Sequence, residues 1–279
     1  MDYLNRNTSP FSADLWRQFD KTAVKSVRDM LTGRRFLDVD GPYGVGLNTV
    51  EIGNDRFCRQ PAADEAGAVM GHAISVPMLR RSFNFSIRRL AGHLEGTQPL
   101  DLTPVEEAAE ALAAREEEFV YYGQKDFHLY GLMNAPGRNE VVGGDWSRVD
   151  VVLENVLAAV SQLDATRFRG PYALVVSPQL YNALFRRYEG SDMLQVEHLN
   201  RLCTLGIFKA PVDGAAVVDP RCGKIVVGQD VMVGYSGSDG VHAQLFVSES
   251  MVLKLDSPAA VCTIAMPMLG QDGDKPTRA

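Results

Sequence analysis

The chain has 279 residues, a formal net charge of −7, 46% hydrophobic and 23% charged residues, which is the balance of a folded rather than a disordered protein. The acidic total argues against a nucleic-acid packager, which would display a basic face or tail. The length suffices for one large domain or two small ones with a sizeable core.

Four scattered cysteines, Cys58, Cys203, Cys222 and Cys262, form no CxxC pair and have no histidine at ligand spacing. They read as reduced thiols rather than a zinc site. The start, MDYLNRNTSPFSADLW, lacks the basic and apolar regions of a signal peptide. No stretch reaches the roughly 18 consecutive apolar residues of a membrane span. The expectation is a soluble intracellular protein.

Residues 1–11 read as a polar arm with Tyr3, Leu4 and Phe11 as anchors. Ser12 is a candidate N-cap for a helix whose apolar stripe runs through Leu15, Trp16, Phe19, Ala23, Val24, Val27, Met30 and Leu31. Such a helix faces a core, and near a terminus it can also carry a groove for another chain. Gly33 is expected to stop it in the left-handed conformation, with Arg34 and Arg35 favoured at the helix end by the macrodipole. Phe36, Leu37 and Val39 alternate with Asp38 and Asp40, predicting a short strand closed by a turn at Gly41-Pro42-Tyr43-Gly44.

From Val45 to Phe85 two extended arms flank a polar, turn-rich middle, predicting a long hairpin. An isolated strand pair is marginal in water, so this hairpin must lie on its own subunit or on a neighbour. Thr103-Pro104-Val105-Glu106 has the form of a capping box, starting a helix that Gly123 ends. Within it, Arg115-Glu116-Glu117-Glu118 reads as a solvated face, because consecutive residues point around a helix rather than at one site.

A helix is expected from Trp146 to Leu163, a buried strand at GPYALVVSP, a short helix at QLYNALFRRYEG and a strand at GIFKAP. GAAVVDPRCGKIVVG reads as two strands joined by a tight turn at Pro220 to Gly223, and nearly everything from Gln229 reads as β, with a hairpin at Gly237 to Gly240. The polar tail GQDGDKPTRA is expected to be disordered. The mixture predicts an α+β or α/β protein.

No nucleophile elbow, phosphate-cradling glycine loop or HExxH helix is present, and no two of the five histidines stand four residues apart. An arm and a long hairpin without a local catalytic motif read as an assembly component. The competing class is an enzyme whose site is dispersed over the fold.

Particular wording narrows this. YLNRNTSPFSADLW, then GRRFLDVDGPYGVG, EEEFVYYG, YGLM, GPYALVVSP, VEHLNRL, GQDVMVGY and LFVSESMVLKLDSPAAVC together resemble, in order and spacing from Tyr3 to about Cys262, the encapsulin shell proteins (family 1), also known as linocin-type bacteriocins or culture-filtrate antigens. The resemblance implies the tailed-phage major capsid protein fold of the Hong Kong phage type. It also implies a bacterial, non-enzymatic shell subunit that closes an icosahedral cage of about 60 copies or a multiple. By resemblance, residues 1–44 are the arm, helix and start of a peripheral domain, 45–80 an extended loop, and 81–133 the peripheral domain with its spine helix. Residues 134–226 become an axial domain, 227–268 the returning peripheral strands, and 269–279 a tail.

The family encloses a cargo, commonly a ferritin-like protein or a dye-decolourising peroxidase, hence roles in iron storage and oxidative stress, through a targeting peptide. By position, the resemblance assigns peptide docking to Val27, Arg34, Asp38 and Val233, with Arg34 or Asp38 fixing register through charge-assisted bonds. Alternatively, Arg34 and Asp38 pair with each other or cap the helix. Glu189, Gly190, Ser191 and Asp192 match a pore loop, where carboxylates would concentrate cations. Some members stack a flavin on a tryptophan where this chain has Arg88, so flavin binding is not carried over. The cluster Arg80, Arg81, Arg88 and Arg89 is assigned instead to subunit contacts. Two other readings stand beside this one: a viral major capsid protein of the same fold, and a hydrolase or protease of bacteriocin type.

Overall fold

The computed structural model describes residues 2–53, 55–187 and 192–266. The stripe beginning at Leu15 folds as α1 (Ala13–Met30), with the Ser12 hydroxyl accepting the Leu15 amide at 3.3 Å as its N-cap. Its aromatic residues lock it down: Trp16 lies 5.7 Å from Phe19, and Phe19 lies 5.2 Å from Phe85. The arm before it is pinned along the sheet, where Arg6 donates to the Val233 carbonyl and to Asp20 at 2.6 Å each and lies over the Trp16 ring.

The helix does not end on a left-handed glycine. Leu31 closes it in an extended conformation, and Gly33 begins a 3-10 turn, Gly33–Arg35, with φ outside the positive region. What fixes glycine at position 33 is proximity, since a Cβ there would stand 2.9 Å from Val120 Cγ1. Arg35 does serve the helix end, donating to the Asp29 carbonyl at 3.1 Å. The strand that follows is short, β1 (Asp38–Asp40), and Val39 within it is exposed.

The predicted hairpin is present as two paired segments. β2 (Thr49–Glu51) pairs with β5 (Ala73–Ser75), and nearer the tip β3 (Arg56–Phe57) pairs with β4 (Val69–Met70), both antiparallel. Phe57, Val69 and Met70 are exposed along it. After Pro77 the chain enters β6 (Met78–Ser86) and a helix the sequence reading had not marked, α2 (Ile87–Leu94).

The long helix α3 (Thr103–Tyr121) starts without the expected capping box. Leu102 is its N-cap and Thr103 lies inside the first turn, where its amide donates to Asp101 at 3.2 Å. The far end is as expected: Gly123 takes φ +64°, a conformation costly for any other residue. A small ribbon follows, β7 (Gly123–Gln124) with β8 (Leu129–Tyr130).

Two compact units divide the chain. The first holds Met1–Pro136 and Pro220–Pro258, and the second holds Gly137–Asp219 with the described residues from Ala259 on. In chain order the second unit contains β9 (Asn139–Val142), α4 (Val149–Ala165), β10 (Ala173–Val176), α5 (Pro178–Ala183), α6 (Gln195–Leu202), β11 (Gly206–Lys209) and β12 (Ala215–Val218). The helix expected from Trp146 begins three residues later, and Trp146 is instead a buried anchor whose Nε1 donates to Asn155 at 3.0 Å.

β12 does not turn back onto the next strand, contrary to the sequence reading. β13 (Gly223–Val227) crosses to the first unit, where it pairs with β1 in parallel and with β15 (His242–Leu255) antiparallel. β14 (Met232–Ser238) and β6 also pair with β15, making it the centre of the first sheet. The second sheet runs β11-β10-β12-β16-β9, completed by β16 (Val261–Ala265). The block 227–268, expected as returning strands of one domain, is therefore divided at Pro258. Fully apolar, fully buried strands such as β10 and β12 have both faces covered.

Candidate functional site

On the first unit, α1 and the turn after it border a groove of about 390 Å³. Helical spacing aligns Val24, Val27 and Leu31 on one stripe. These three, with Val39 of β1 and Val231 just before β14, provide its apolar lining, and Arg28, Arg34, Arg35 and Asp230 provide the charged part. Val39 is 46% exposed there, an apolar side chain left in solvent.

Of the residues assigned to docking, the structure brings Val27 and Arg34 into this groove. Asp38 lies outside its lining and is exposed. Val233 is 0% exposed, its amide donating to Asp20 at 3.0 Å, so Asp230 and Val231 represent that segment in the groove. Asp38 does not pair with Arg34. The guanidinium is taken by two glutamates: Nε and Nη2 bond the Glu116 carboxylate at 2.7 and 3.0 Å, and Nη2 also bonds Glu249.

This corrects the solvated-face reading at Glu116 and Glu117, while Arg115 and Glu118 are exposed and pair with each other. The Glu116 and Glu249 side chains are both 0% exposed and that of Arg34 is 20% exposed. Glu117 is buried as well and points to a different partner set, as consecutive helix residues must. Its Oε1 accepts the Thr32 and Gly33 amides at 2.9 and 3.0 Å, and its other oxygen takes the Thr32 hydroxyl. Glu117 thereby caps the 3-10 turn from a neighbouring helix, replacing a local cap with a tertiary one.

Two carboxyls around one guanidinium cannot both ionise without leaving a buried net charge. Burial first, and repulsion from Glu249 second, push the Glu116 carboxyl up to about 8 against the pull of Arg34. Glu249 Oε2 has no hydrogen-bond partner among the described residues. Burial opposes the charge on Arg34, yet the two glutamates together hold it protonated. Burial likewise raises Glu117, against the bonds from Thr32 and Gly33.

A signal for this cluster exists in the sequence. Glu116 falls four residues after Leu112 and seven after Ala109, on the stripe that also holds Val105 and Phe119, all buried. The other two members, Arg34 and Glu249, are far from Glu116 in the chain and carry no such signal.

In the second unit, Asp192 is exposed and stands 3.5 Å from Arg187, while Glu189, Gly190 and Ser191 lie outside the described residues. Arg88 is an exposed residue of α2. Of its basic neighbours, Arg80 stacks on Phe246 at 3.9 Å and Arg89 pairs with Asp101. No cluster of metal-ligating side chains occurs among the described residues.

The sequence model of a family described as encapsulating protein for peroxidase matches residues 1–252. The type 1 encapsulin shell protein EncA of Myxococcus xanthus is 28% identical over 276 residues, covering 94% of this chain and 96% of that one. A diheme-cytochrome-encapsulin shell fusion protein of Kuenenia stuttgartiensis is 27% identical over 261 residues, covering 89% of this chain and 72% of the fusion. Among solved structures, a virus-like particle from Pyrococcus furiosus superposes with a TM-score of 0.72 at 21% identity, covering 90% of this chain and 100% of that one. The capsid of Myoviridae phage XM1 superposes at 0.57 with 16% identity, covering 83% and 90%. The fold is thus that of phage capsid proteins, and the chain belongs to the family of encapsulating proteins, the encapsulin shell proteins.

Proposed function

We propose that copies of this chain close into an icosahedral cage in the bacterial cytoplasm and hold a cargo protein by a targeting peptide seated in the α1 groove. The observation that carries the docking part is the groove itself: five apolar side chains converge beside a helix end, with Val39 left exposed at 46%. An extended or helical peptide would cover that surface with its own apolar side chains. The fusion of a shell protein to a diheme cytochrome in Kuenenia stuttgartiensis fits a shell that keeps company with a redox protein.

In this reading the first unit is the peripheral domain, with α3 as its spine, and the second is the axial domain around the symmetry axes. The hairpin from β2 to β5 reaches a neighbouring subunit, which would cover Phe57, Val69 and Met70. The segment containing Asp192 lines a pore, and its carboxylates favour cations. The role is structural, and no described helix is long and apolar enough to cross a membrane.

Cargo loading tests the groove. A fluorescent protein carrying the terminal peptide of whichever protein copurifies with native cages should load into wild-type cages and lose most of its loading in Val39→Asp cages. Val39 is exposed, so the charge can be hydrated and the fold should survive. Equal loading in intact Val39→Asp cages would place the peptide elsewhere.

A further inference from the structure

The sulfur side chains are unevenly placed. Among the described residues the exposed methionines are Met30, Met70 and Met78, and the exposed cysteine is Cys58. Met70 and Cys58 belong to the hairpin, and Met78 stands where the hairpin enters β6. Met70 is 65% exposed and Met78 52%. The other three cysteines are buried. Burial pushes the Cys203 thiol up to about 12, and burial with the charge of Glu140 pushes Cys262 up to about 11, which leaves little of the reactive thiolate at either.

Strand register brings two of the exposed sulfurs together. β3 and β4 pair Arg56 with Met70, and the Cys58 amide continues the ladder by donating to the Ala68 carbonyl at 2.8 Å. Arg56 and Cys58, two residues apart, share a face. Cys58 and Met70 are therefore diagonal neighbours on that face, roughly 7–8 Å apart. Both line one open cavity of about 730 Å³ beside Leu255 and Pro258 of the body. A flexible thioether suits packing onto an irregular partner surface, and until that partner arrives the sulfur is open to small solutes.

Resting on the hairpin contact proposed above, we propose that Met70, Met78 and Cys58 are oxidation sites through which a peroxide blocks assembly of the free subunit. In each step the peroxide O–O bond breaks, one oxygen bonds to sulfur and the other leaves as water. The methionine thioether becomes a sulfoxide and the Cys58 thiol a sulfenic acid; sulfur loses the two electrons that the peroxide gains. A sulfoxide is polar where methionine was apolar, and burying it against a neighbour without a hydrogen-bond partner weakens the contact by about tenfold. In the closed cage the neighbour covers the same sulfurs, so assembly protects them.

The test starts from purified cages of the full-length chain. They are dissociated, and the subunits are treated with hydrogen peroxide, freed of it and returned to assembly conditions, with intact cages treated in parallel. Peptide mass mapping should place added oxygen at Met70, Met78 and Cys58 in free subunits and far less of it there in cages. Cage yield by light scattering should fall about tenfold. Met70→Leu, Met78→Leu and Cys58→Ser together should keep the yield after peroxide, leucine preserving volume and apolar character. Should that variant not assemble untreated, methionine sulfoxide reductase with a thiol reductant should restore assembly of the oxidised wild type, and failure of the rescue would overturn the proposal. Normal yield from subunits carrying the added oxygens, or an equal fall in the triple variant, would also overturn it and leave the hairpin reading standing. Equal oxidation of these sulfurs in intact cages and free subunits would show them uncovered, overturning the hairpin reading and this proposal with it.

Discussion

Arg34 has two neighbourhoods, and the inner one dominates. Its guanidinium bridges Glu116 of α3 and Glu249 of β15, both without solvent exposure. Removing one partner from a buried ion cluster leaves uncompensated charge, typically worth about 3–5 kcal/mol. Arg34→Ala should therefore lower the thermal unfolding midpoint steeply, so a loading defect in that variant reports folding as much as docking. An unchanged midpoint would contradict the cluster. The same residues set a pH dependence. The groups facing Glu116 are Arg34 and Glu249, with Glu117, Tyr121 and Arg35 behind them. Because the folded-state value of Glu116 is raised from 4.5 to about 8, the unfolded chain ionises first. Its contribution is complete below about 4.5 and is lost as pH rises towards 8. The unfolding midpoint of the wild type should fall across this window, and that of Glu116→Gln should fall less, Glu117 contributing the remainder. Parallel curves would assign the proton elsewhere.

At the scale of elements, most helices and strands were legible because their apolar periodicity is local. Ser12 announced α1 and Gly123 announced the end of α3, each through its own backbone chemistry. Failures occurred where a distant element decided the outcome. Gly33 looked like a helix stop, yet it is glycine because Val120 of α3 presses on it. A methyl group there forces one side or the other to move, so Gly33→Ala should cost about 1–3 kcal/mol in denaturant unfolding. A neutral result would mean that α1 and α3 yield without loss. The capping motif at Thr103 failed because Asp101, two residues before it, took the Thr103 amide. β12 and β13 looked like a hairpin because their sequences suit one. Nothing in a turn sequence says that the two strands belong to different sheets. Part of the groove was legible too. Val27 and Arg34 were assigned through resemblance, while Val39 and Val231 were found only once β1 and β14 were placed beside α1.

For the whole molecule, the hairpin that cannot support itself is the sequence feature that points to assembly, and membership of a shell-protein family is consistent with that. Phe57, Val69 and Met70 stand exposed on strands only two residues long, an arrangement suited to burial against another copy. Replacing residues 52–72 by a short turn should leave a folded chain that no longer closes cages, measured by circular dichroism and light scattering together. Cages of normal size from that variant would free the hairpin of its role. The phage-capsid fold would also suit a viral shell, although the net charge of −7 argues against one, and nuclease-resistant DNA inside the particles would mark that case. The most direct measurement is the size of the purified full-length chain in solution, by size-exclusion chromatography with negative-stain microscopy. The account predicts closed, uniform particles of about 60 subunits or a multiple. A single 30.6 kDa species without particles would contradict it.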